Sequence, residues 1–240
     1  MKSPIEVALL AALASALLLL GPAARAETVF EQRSDVYDIE WSGISLGQGE
    51  IALTRAGNCY RYESKTHPMA LVRWTYGSPR EVSEFCVDAD GQIRPKHFEY
   101  VNDKRAKDNF TLDFDLAARQ VKAIKGGNVT IRELPEQAYD RFLLQQAVRQ
   151  WVMRHAQEES PAPVEFTMVD DDRMKVYRFA ITAREKVRTN AGTFDTIRVE
   201  RVDNPDKSLR LWLAPARAYA PVKIEHVEKG EVKLRMSVRD

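Results

Sequence analysis

The C-terminal part of the chain, residues 191–238, alternates apolar and polar side chains over four short segments. The segments read AGTFDTIRVERV, SLRLWLAP, APVKIEHV and EVKLRMSV, and each is bounded by Gly, Pro, Asn or Asp. Successive side chains of a strand point to opposite faces of a sheet, so an alternating segment has one apolar and one polar face. The run therefore predicts an antiparallel sheet with one face against a core and the other in water.

Most of residues 27–240 follows the same pattern. Short alternating segments separated by turn residues fill residues 37–131 and return at residues 164–184. This spacing is typical of β-sandwiches and barrels. The sequence predicts a mainly β fold: a curved antiparallel sheet, either a spiral or a half-barrel, open or nearly closed, that encloses one main α-helix. Because no linker separates the two β-rich parts, we expect a single domain over residues 27–240.

That helix is predicted at about residues 139–157, with residues 139–155 as its best-defined part. Leu144, Val148 and Trp151 recur at helical spacing, and Pro161 prevents the helix from continuing. A helix in this position either caps an open end of the curved sheet or fills its hollow side.

A second interruption of the β pattern is the segment His67-Pro-Met-Ala-Leu-Val-Arg-Trp-Thr-Tyr76, which is apolar without clean alternation. One interpretation is a buried connector or a helical turn that fills the core. The other is a lid, in which Met69–Tyr76 forms a flap over an apolar cavity.

The first 26 residues have the features of an export signal. Lys2 supplies the positive start, residues 7–20 are an almost unbroken apolar run, and Ala24-Arg25-Ala26 is a small-x-small cleavage site. We expect cleavage after Ala26, a periplasmic location and no transmembrane span in the mature chain. Without this segment, the counts of 36 basic and 35 acidic residues become 34 and 34. A neutral chain argues against nucleic acid as the main partner.

Cys59 and Cys86 are the two cysteines of the sequence. An even number in an exported protein indicates a disulfide. Strand parity puts both side chains on polar faces of nearby strands. Such a bridge could stabilise the fold by roughly 3 kcal/mol. A redox pair or a metal site is the alternative, but the spacing is not CxxC and no pair of histidines lies nearby.

The sequence contains none of the usual catalytic motifs, such as GxSxG, HExxH, a Walker motif or GxGxxG. The four histidines are widely scattered, so we predict no metal site, no cofactor and no enzymatic activity. A curved sheet with an apolar inner face must instead enclose side chains, a helix or a ligand. Cavity-lining candidates are the large apolar residues Trp41, Trp74, Phe110, Phe114, Trp151, Phe179 and Leu211.

Four stretches resemble the bacterial domain-of-unknown-function family 3108, which consists of exported envelope proteins without an assigned activity. They are GQIRPKHFEYVNDK at residues 91–104, the helical YDRFLLQQAVRQWV, TNAGTFDTIRVERV at residues 189–202 and LWLAPARAYAPVKIEHV. The strand pattern is also similar to that of the periplasmic lipoprotein carriers and their receptors, half-barrels whose concave face holds acyl chains. This second resemblance implies a hollow that takes a hydrophobic ligand.

We therefore expect a noncatalytic protein of the bacterial envelope that binds a lipid or acyl chain, or an envelope partner protein. One alternative is a scaffold that uses its charged outer face for protein partners, with Arg198, Arg210, Lys223 and Arg235 as the contact residues. Another is an uncharacterised enzyme that acts on cell wall or polysaccharide.

Overall fold

Fifteen strands form one continuous sheet in the computed structural model, which describes residues 30–239. The predicted signal peptide, residues 1–26, lies outside the described residues. The strands are β1 (Arg33–Trp41), β2 (Ile44–Ala56), β3 (Cys59–Pro68), β4 (Pro79–Val87), β5 (Ile93–Asn102), β6 (Phe110–Asp115), β7 (Gln120–Lys125), β8 (Asn128–Glu133), β9 (Ala138–Asp140), β10 (Val164–Val169), β11 (Met174–Thr189), β12 (Gly192–Arg201), β13 (Lys207–Ala214), β14 (Ala220–Glu228) and β15 (Glu231–Val238). The helices are α1 (Ala70–Tyr76) and α2 (Leu144–Arg154), with short 3₁₀ turns at Ala106–Asp108 and Pro215–Arg217.

The order of the strands follows the chain in two directions from the middle of the sheet. Strands β1 to β8 lie side by side in sequence, and β15 to β9 continue from the other edge of β1. Neighbouring strands are antiparallel, apart from the parallel pair β9 and β10. The sheet is strongly curved and not closed, because β8 and β9 are its two ends and are not hydrogen-bonded to each other. The predicted curved sheet is confirmed.

The two-faced character of the C-terminal strands is also confirmed. Leu211 of β13 pairs with Ile224 of β14, and both are buried on the concave side. The next pair, Trp212 and Lys223, points to the convex side, where the Lys223 ammonium lies 4.1 Å from the centre of the Trp212 ring. Strand alternation thus produces one apolar and one charged face.

Side chains link the two ends of the open sheet. Lys125, at the end of β7, forms an ion pair with Asp171 in the turn between β10 and β11. The Nη2 atom of Arg132 on β8 donates a hydrogen bond of 2.6 Å to the main-chain oxygen of Asp170 in the same turn. These contacts hold the sheet in a nearly closed form without a continuous strand ladder.

Helix α2 fills much of the hollow side of the sheet. Leu144, Val148 and Val152 are fully or almost fully buried along it. The helix begins at Leu144 and not at residue 139 as predicted. Residues Ala138–Asp140 form the short strand β9. The Asp140 carboxylate then accepts hydrogen bonds from the main-chain N–H groups of Phe142 and Leu143, which fixes the turn before α2.

Arg149 is a charged residue in the middle of this core. Its Nε and Nη2 atoms donate hydrogen bonds of 3.0 and 2.8 Å to the main-chain oxygens of Tyr219 and Ala218, and Nη1 donates one of 2.7 Å to Gln146. Burial lowers the pKa of Arg149 to about 10. Ala218 and Tyr219 both have positive φ angles, 49° and 59°. The guanidinium therefore ties α2 to an unusual turn between β13 and β14.

The two cysteines face each other across the neighbouring strands β3 and β4. Cys59 pairs with Cys86 in the strand register, and the two sulfur atoms are bonded at 2.00 Å. The predicted disulfide is confirmed. None of the helices within residues 30–239 is long and apolar enough to cross a lipid bilayer.

Candidate functional site

A pocket of about 640 Å³ remains on the concave side of the sheet, beyond the start of α2. Strands β1 to β5, β14 and β15 form its walls, and α1 covers one side. Most of the lining is apolar, and its members are Ile39, Trp41, Leu46, Gln48, Ile51, Ser64, Thr66, Pro68, Val72, Tyr76, Gly77, Pro79, Glu81, Tyr100, Asn102, Arg105, Asp108, Phe142, Gln145, Ile224, His226, Leu234 and Met236. The hollow of the sheet is therefore divided into a packed part and an open part.

Register between the central strands builds the apolar wall. Ile39 on β1 pairs with Met236 on β15, and Trp41 pairs with Leu234. Ile224 on β14 lies across from Met236 on its other side. The alternating C-terminal run thus supplies the pocket wall with inward-pointing side chains.

Helix α1 covers one side of the pocket, and hydrogen bonds hold both of its ends in place. At its start, the Met69 N–H donates a hydrogen bond of 2.9 Å to the Leu46 oxygen. At its end, Asn102 Nδ2 donates one of 3.1 Å to the Tyr76 oxygen. Val72 and Tyr76, one helical turn apart, line the pocket. No residue of α1 is buried, so the interpretation of this segment as a core-filling turn is wrong.

Two glycines make the close attachment of α1 possible. Gly47 has a φ of +129°, and a Cβ atom there would overlap the His67 oxygen just before α1. Gly77 has a φ of +77°, and a Cβ atom there would overlap the side chain of Asn102. Any other residue at Gly47 would push α1 away from the sheet, and any other residue at Gly77 would displace the Asn102 side chain that holds the end of α1.

The floor of the pocket is formed by the turn that precedes α2. The Phe142 ring stacks on the Tyr62 ring, with centroids 4.0 Å apart. The Tyr62 hydroxyl donates a hydrogen bond of 3.4 Å to the side-chain oxygen of Gln145. Burial raises the pKa of Tyr62 to about 12, so its hydroxyl stays neutral below strongly alkaline pH. The floor is therefore aromatic and uncharged.

Glu81, whose carboxylate lines the pocket wall, forms an ion pair with Arg141. Arg141 Nε donates a hydrogen bond of 2.7 Å to Glu81. The Arg141 guanidinium also lies 4.6 Å from the centre of the Tyr100 ring. Burial alone would lower the pKa of Arg141, but the charges of Glu81 and Asp170 outweigh it and raise the pKa. The inner wall consequently carries a bound ion pair and no isolated charge.

The rim of the pocket has a different charge pattern. Arg105 lies at the opening, and its guanidinium stacks over the Tyr76 ring at 5.1 Å. Among residues 30–239 it has no ion-pair partner within 4.0 Å, although Asp108 also lines the opening. A polar end of a bound molecule would meet the Arg105 guanidinium here.

The structure separates the seven predicted cavity residues. Trp41 lines the pocket, whereas Trp74 lies on the outer side of α1 and is 76% exposed. The others belong to the packed part of the hollow and lie outside the pocket lining, with Phe114 partly buried and Phe110, Trp151, Phe179 and Leu211 buried. The sequence predicted a flap at Met69–Tyr76 but did not single out Val72 and Tyr76 as its lining residues, although their spacing of four in a short apolar segment was a usable signal.

The convex face has charges that are already paired within the chain. Arg198, Arg210 and Arg235 form ion pairs with Glu residues of neighbouring strands, and Lys223 pairs with Glu225 of its own strand. Glu225 lies between Lys223 and Arg235, and their hydrogen bonds outweigh the effect of burial and lower its pKa. The β11–β12 hairpin bends over this face, where Asn190 donates a hydrogen bond of 2.7 Å to Asp38.

In the part of the chain that the structure describes, no cluster of three or more His, Cys, Asp or Glu side chains could hold a metal ion. His97 on β5 faces a carboxylate of the neighbouring strand β6. Its Nδ1 atom lies 2.7 Å from Oδ1 of Asp113, on the charged side of these strands.

Comparison with solved structures supports the fold description. The chain is similar to a β-barrel-like protein of the domain of unknown function DUF1849 from Brucella abortus, with a TM-score of 0.53 and 14% sequence identity. The match covers 87% of this chain and 96% of the other one. At this identity the likeness concerns the fold alone. No curated protein matches the chain.

Comparison with protein families confirms the resemblance drawn from the sequence. The family described as "Protein of unknown function (DUF3108)" matches residues 36–237, which include every strand from β2 to β14 and all but the first or last few residues of β1 and β15. The matched range also contains both helices and the whole pocket lining. The chain therefore belongs to the DUF3108 family.

Proposed function

We propose that this protein is a noncatalytic periplasmic binding protein of the bacterial envelope, whose pocket takes a hydrophobic, lipid-like ligand. The observation that carries the proposal is the apolar pocket of about 640 Å³ between the sheet and α1. Its volume lies in the range of small-molecule sites, roughly 300–1,000 Å³. A pocket with this lining gains free energy by replacing water with apolar ligand atoms.

The distribution of polarity indicates an amphipathic ligand. The wall made by Ile39, Ile224 and Met236 offers only hydrocarbon and thioether surface. The inner carboxylate of Glu81 is held by Arg141 and does not require a charged ligand group. Arg105 faces the opening, where its guanidinium could contact a headgroup. An acyl chain would occupy the inner part, with its polar end at the rim.

Two features support a periplasmic location. Residues 1–26 have the composition of an export signal, and Cys59 and Cys86 are joined in a disulfide. Disulfides persist in oxidising compartments such as the periplasm and are rare in the cytosol. A pocket for a lipid-like molecule has an evident use between two membranes, where water separates the sources and destinations of lipids.

Native mass spectrometry of the protein purified from envelope fractions tests the proposal. We expect a population heavier than the polypeptide, and extraction with organic solvent should release the added mass. The matched variants are Ser64→Trp, which places an indole in the pocket lining, and Ser34→Trp, which places it on exposed surface. Loss of the added mass in Ser64→Trp alone is the expected result.

A wild-type protein that carries no added mass, and that also takes up no fatty acid when incubated with it, would contradict the proposal. Circular dichroism of both variants establishes that they are folded before their masses are compared.

A further inference from the structure

Helix α1 has two apolar sides, of which only one faces the pocket. Val72 and Tyr76 line the pocket, whereas Leu71 and Trp74 point away from it and are each 76% exposed. Such large side chains at i and i+3 form one patch on a helix surface. Singly exposed apolar residues are common in proteins, but this tryptophan and leucine lie side by side on a helix, and packing among residues 30–239 does not explain them.

The patch continues onto the tip of the neighbouring β1–β2 hairpin. Ile44 is 68% exposed, Trp41 is 50% exposed and Met69 is 48% exposed. The hydrogen bond from the Met69 N–H to the Leu46 oxygen places the start of α1 directly beside this hairpin. We call Trp41, Ile44, Met69, Leu71 and Trp74 the apolar rim. It borders the opening of the pocket, since Trp41 and Leu46 also belong to the lining.

The apolar rim is held in place beside the pocket. The two ends of α1 are fixed by the hydrogen bonds to Leu46 and Asn102, and by the tight contacts of Gly47 and Gly77. The side chains of Leu71 and Trp74 therefore stay in water unless another surface covers them. Their exposure has a free-energy cost that such a surface would remove.

Basic side chains surround the same surface. Arg73 belongs to α1, and Lys104, Arg105 and Lys107 belong to the segment on which the end of α1 rests. Within residues 30–239, none of these four cations has a carboxylate within ion-pair distance. Asp103 and Asp108 are the acidic residues of the segment, and Asp103 accepts a hydrogen bond from the Ser78 N–H. The surface therefore combines exposed apolar side chains with an excess of positive charge.

We infer that the apolar rim docks onto the surface of an anionic phospholipid bilayer and brings the pocket opening to the membrane interface. Trp and Leu side chains enter the boundary between headgroups and acyl chains, while Arg and Lys side chains remain at the phosphates. This inference rests on the proposed function for its purpose: a lipid-like ligand could pass along α1 between bilayer and pocket without crossing water. The docking itself is a separate physical property that can be measured alone.

Cosedimentation with vesicles tests the docking. The full mature protein is mixed with vesicles of phosphatidylethanolamine and phosphatidylglycerol, and in parallel with vesicles of phosphatidylcholine. We expect binding to the anionic vesicles that weakens at high salt, because screening reduces the attraction of the basic residues. Leu71→Ser combined with Trp74→Ser should lower the partition coefficient about tenfold or more. Arg73→Gln combined with Lys107→Gln should lower it on anionic vesicles by about tenfold.

Matched controls alter equivalent residues far from the pocket. Val129→Ser combined with Ile131→Ser removes two exposed apolar side chains of the edge strand β8, and Lys96→Gln combined with Lys122→Gln removes two exposed charges. Neither control should change vesicle binding. Equal effects of the control and rim variants, or no binding of the wild type to anionic vesicles, would overturn the inference.

Two further readouts separate this inference from the proposed function. Uptake of a fluorescent fatty acid in the absence of vesicles reports on the pocket alone, so retained uptake without vesicle binding overturns the docking and leaves the pocket proposal standing. Vesicle binding without uptake supports the docking and contradicts the pocket proposal. If light scattering instead finds a dimer that Leu71→Ser with Trp74→Ser converts to a monomer, and vesicles do not bind, the rim is a self-association surface and the inference is wrong.

Discussion

The side-chain nitrogen of Asn102 donates a hydrogen bond of 3.1 Å to the main-chain oxygen of Tyr76, the last residue of α1. Asn102 is buried, and its side-chain oxygen accepts a second bond of 3.0 Å from the Lys104 N–H. One side chain thus joins the helix at the pocket opening to the end of β5. The position of α1, and with it the shape of the pocket, depends on this residue.

Asn102→Ala should therefore loosen α1 without unfolding the sheet. Loss of the two hydrogen bonds should lower the free energy of unfolding by about 1–3 kcal/mol. Amide hydrogen exchange should become faster in α1 while strands β1 and β15 keep their protection. Asn128→Ala, at the exposed first position of β8, is the control. Unchanged exchange in α1 would show that Asn102 does not hold the helix.

Asp140 predicts a specific dependence of stability on pH. Burial raises its pKa to about 7, although hydrogen bonds from the Ser83 hydroxyl, at 2.6 Å, and from two main-chain N–H groups act in the opposite direction, and the charge of Glu81 adds to the rise. The folded chain thus binds this proton more tightly than the unfolded chain does. The stabilising contribution is complete below the unfolded pKa, near 4, and is lost as the pH rises through 7.

Urea denaturation of the wild type and of Asp140→Asn measures this contribution. The amide keeps the Oδ1 acceptor but does not titrate. Between about pH 5 and about pH 8, the wild type should lose roughly 2–3 kcal/mol relative to Asp140→Asn. Glu136→Gln, an exposed substitution, should follow the wild type. Parallel curves for wild type and Asp140→Asn would mean that the carboxyl does not have a raised pKa.

The buried Arg149 should be a major determinant of stability. Arg149→Met keeps much of the side-chain volume but removes the donors to the oxygens of Ala218 and Tyr219. Left without these donors in the core, the two oxygens should cost about 2–4 kcal/mol of unfolding free energy. Arg154→Met is the matched control on the same helix, because Arg154 is exposed and its bond to the Gly91 oxygen is 3.4 Å long. Equal midpoints of denaturation for the two variants would contradict this role.

The disulfide predicts sensitivity to reduction. Cys59 and Cys86 are 27 residues apart, and a bridge over a loop of this size contributes about 3 kcal/mol by restricting the unfolded chain. A reductant should lower the denaturation midpoint of the wild type to that of Cys59→Ser combined with Cys86→Ser. The double variant itself should not respond to the reductant. If complete reduction of the bridge left the denaturation midpoint of the wild type unchanged, the disulfide would not have this stabilising contribution.

Strand alternation made the architecture predictable from the sequence. The rows at Leu211 and Ile224 have a period of two, which fixes their side of the sheet whatever lies opposite. The start of α2 was not predictable in this way. Tyr139 fits the helical pattern, but tertiary pairing of β9 with β10 places it in a strand.

The pocket was less predictable because inward orientation does not distinguish core from cavity. Phe179 and Ile39 both point to the concave side, yet Phe179 is buried in the packed part and Ile39 lines the pocket. The difference is set by where α2 packs, and no local pattern in β1 or β11 records that position. The exposure of Trp74 depends likewise on how α1 is fastened, which involves distant residues such as Asn102.

Titration with the fluorescent fatty acid cis-parinaric acid tests the central claim most directly, namely that the pocket beside α1 binds a hydrophobic ligand. The account predicts saturable binding of one probe per wild-type chain, unchanged binding by Ser34→Trp and loss of binding by Ser64→Trp, with all three proteins folded. Absence of saturable binding by the wild type, or equal binding by Ser64→Trp, would contradict it.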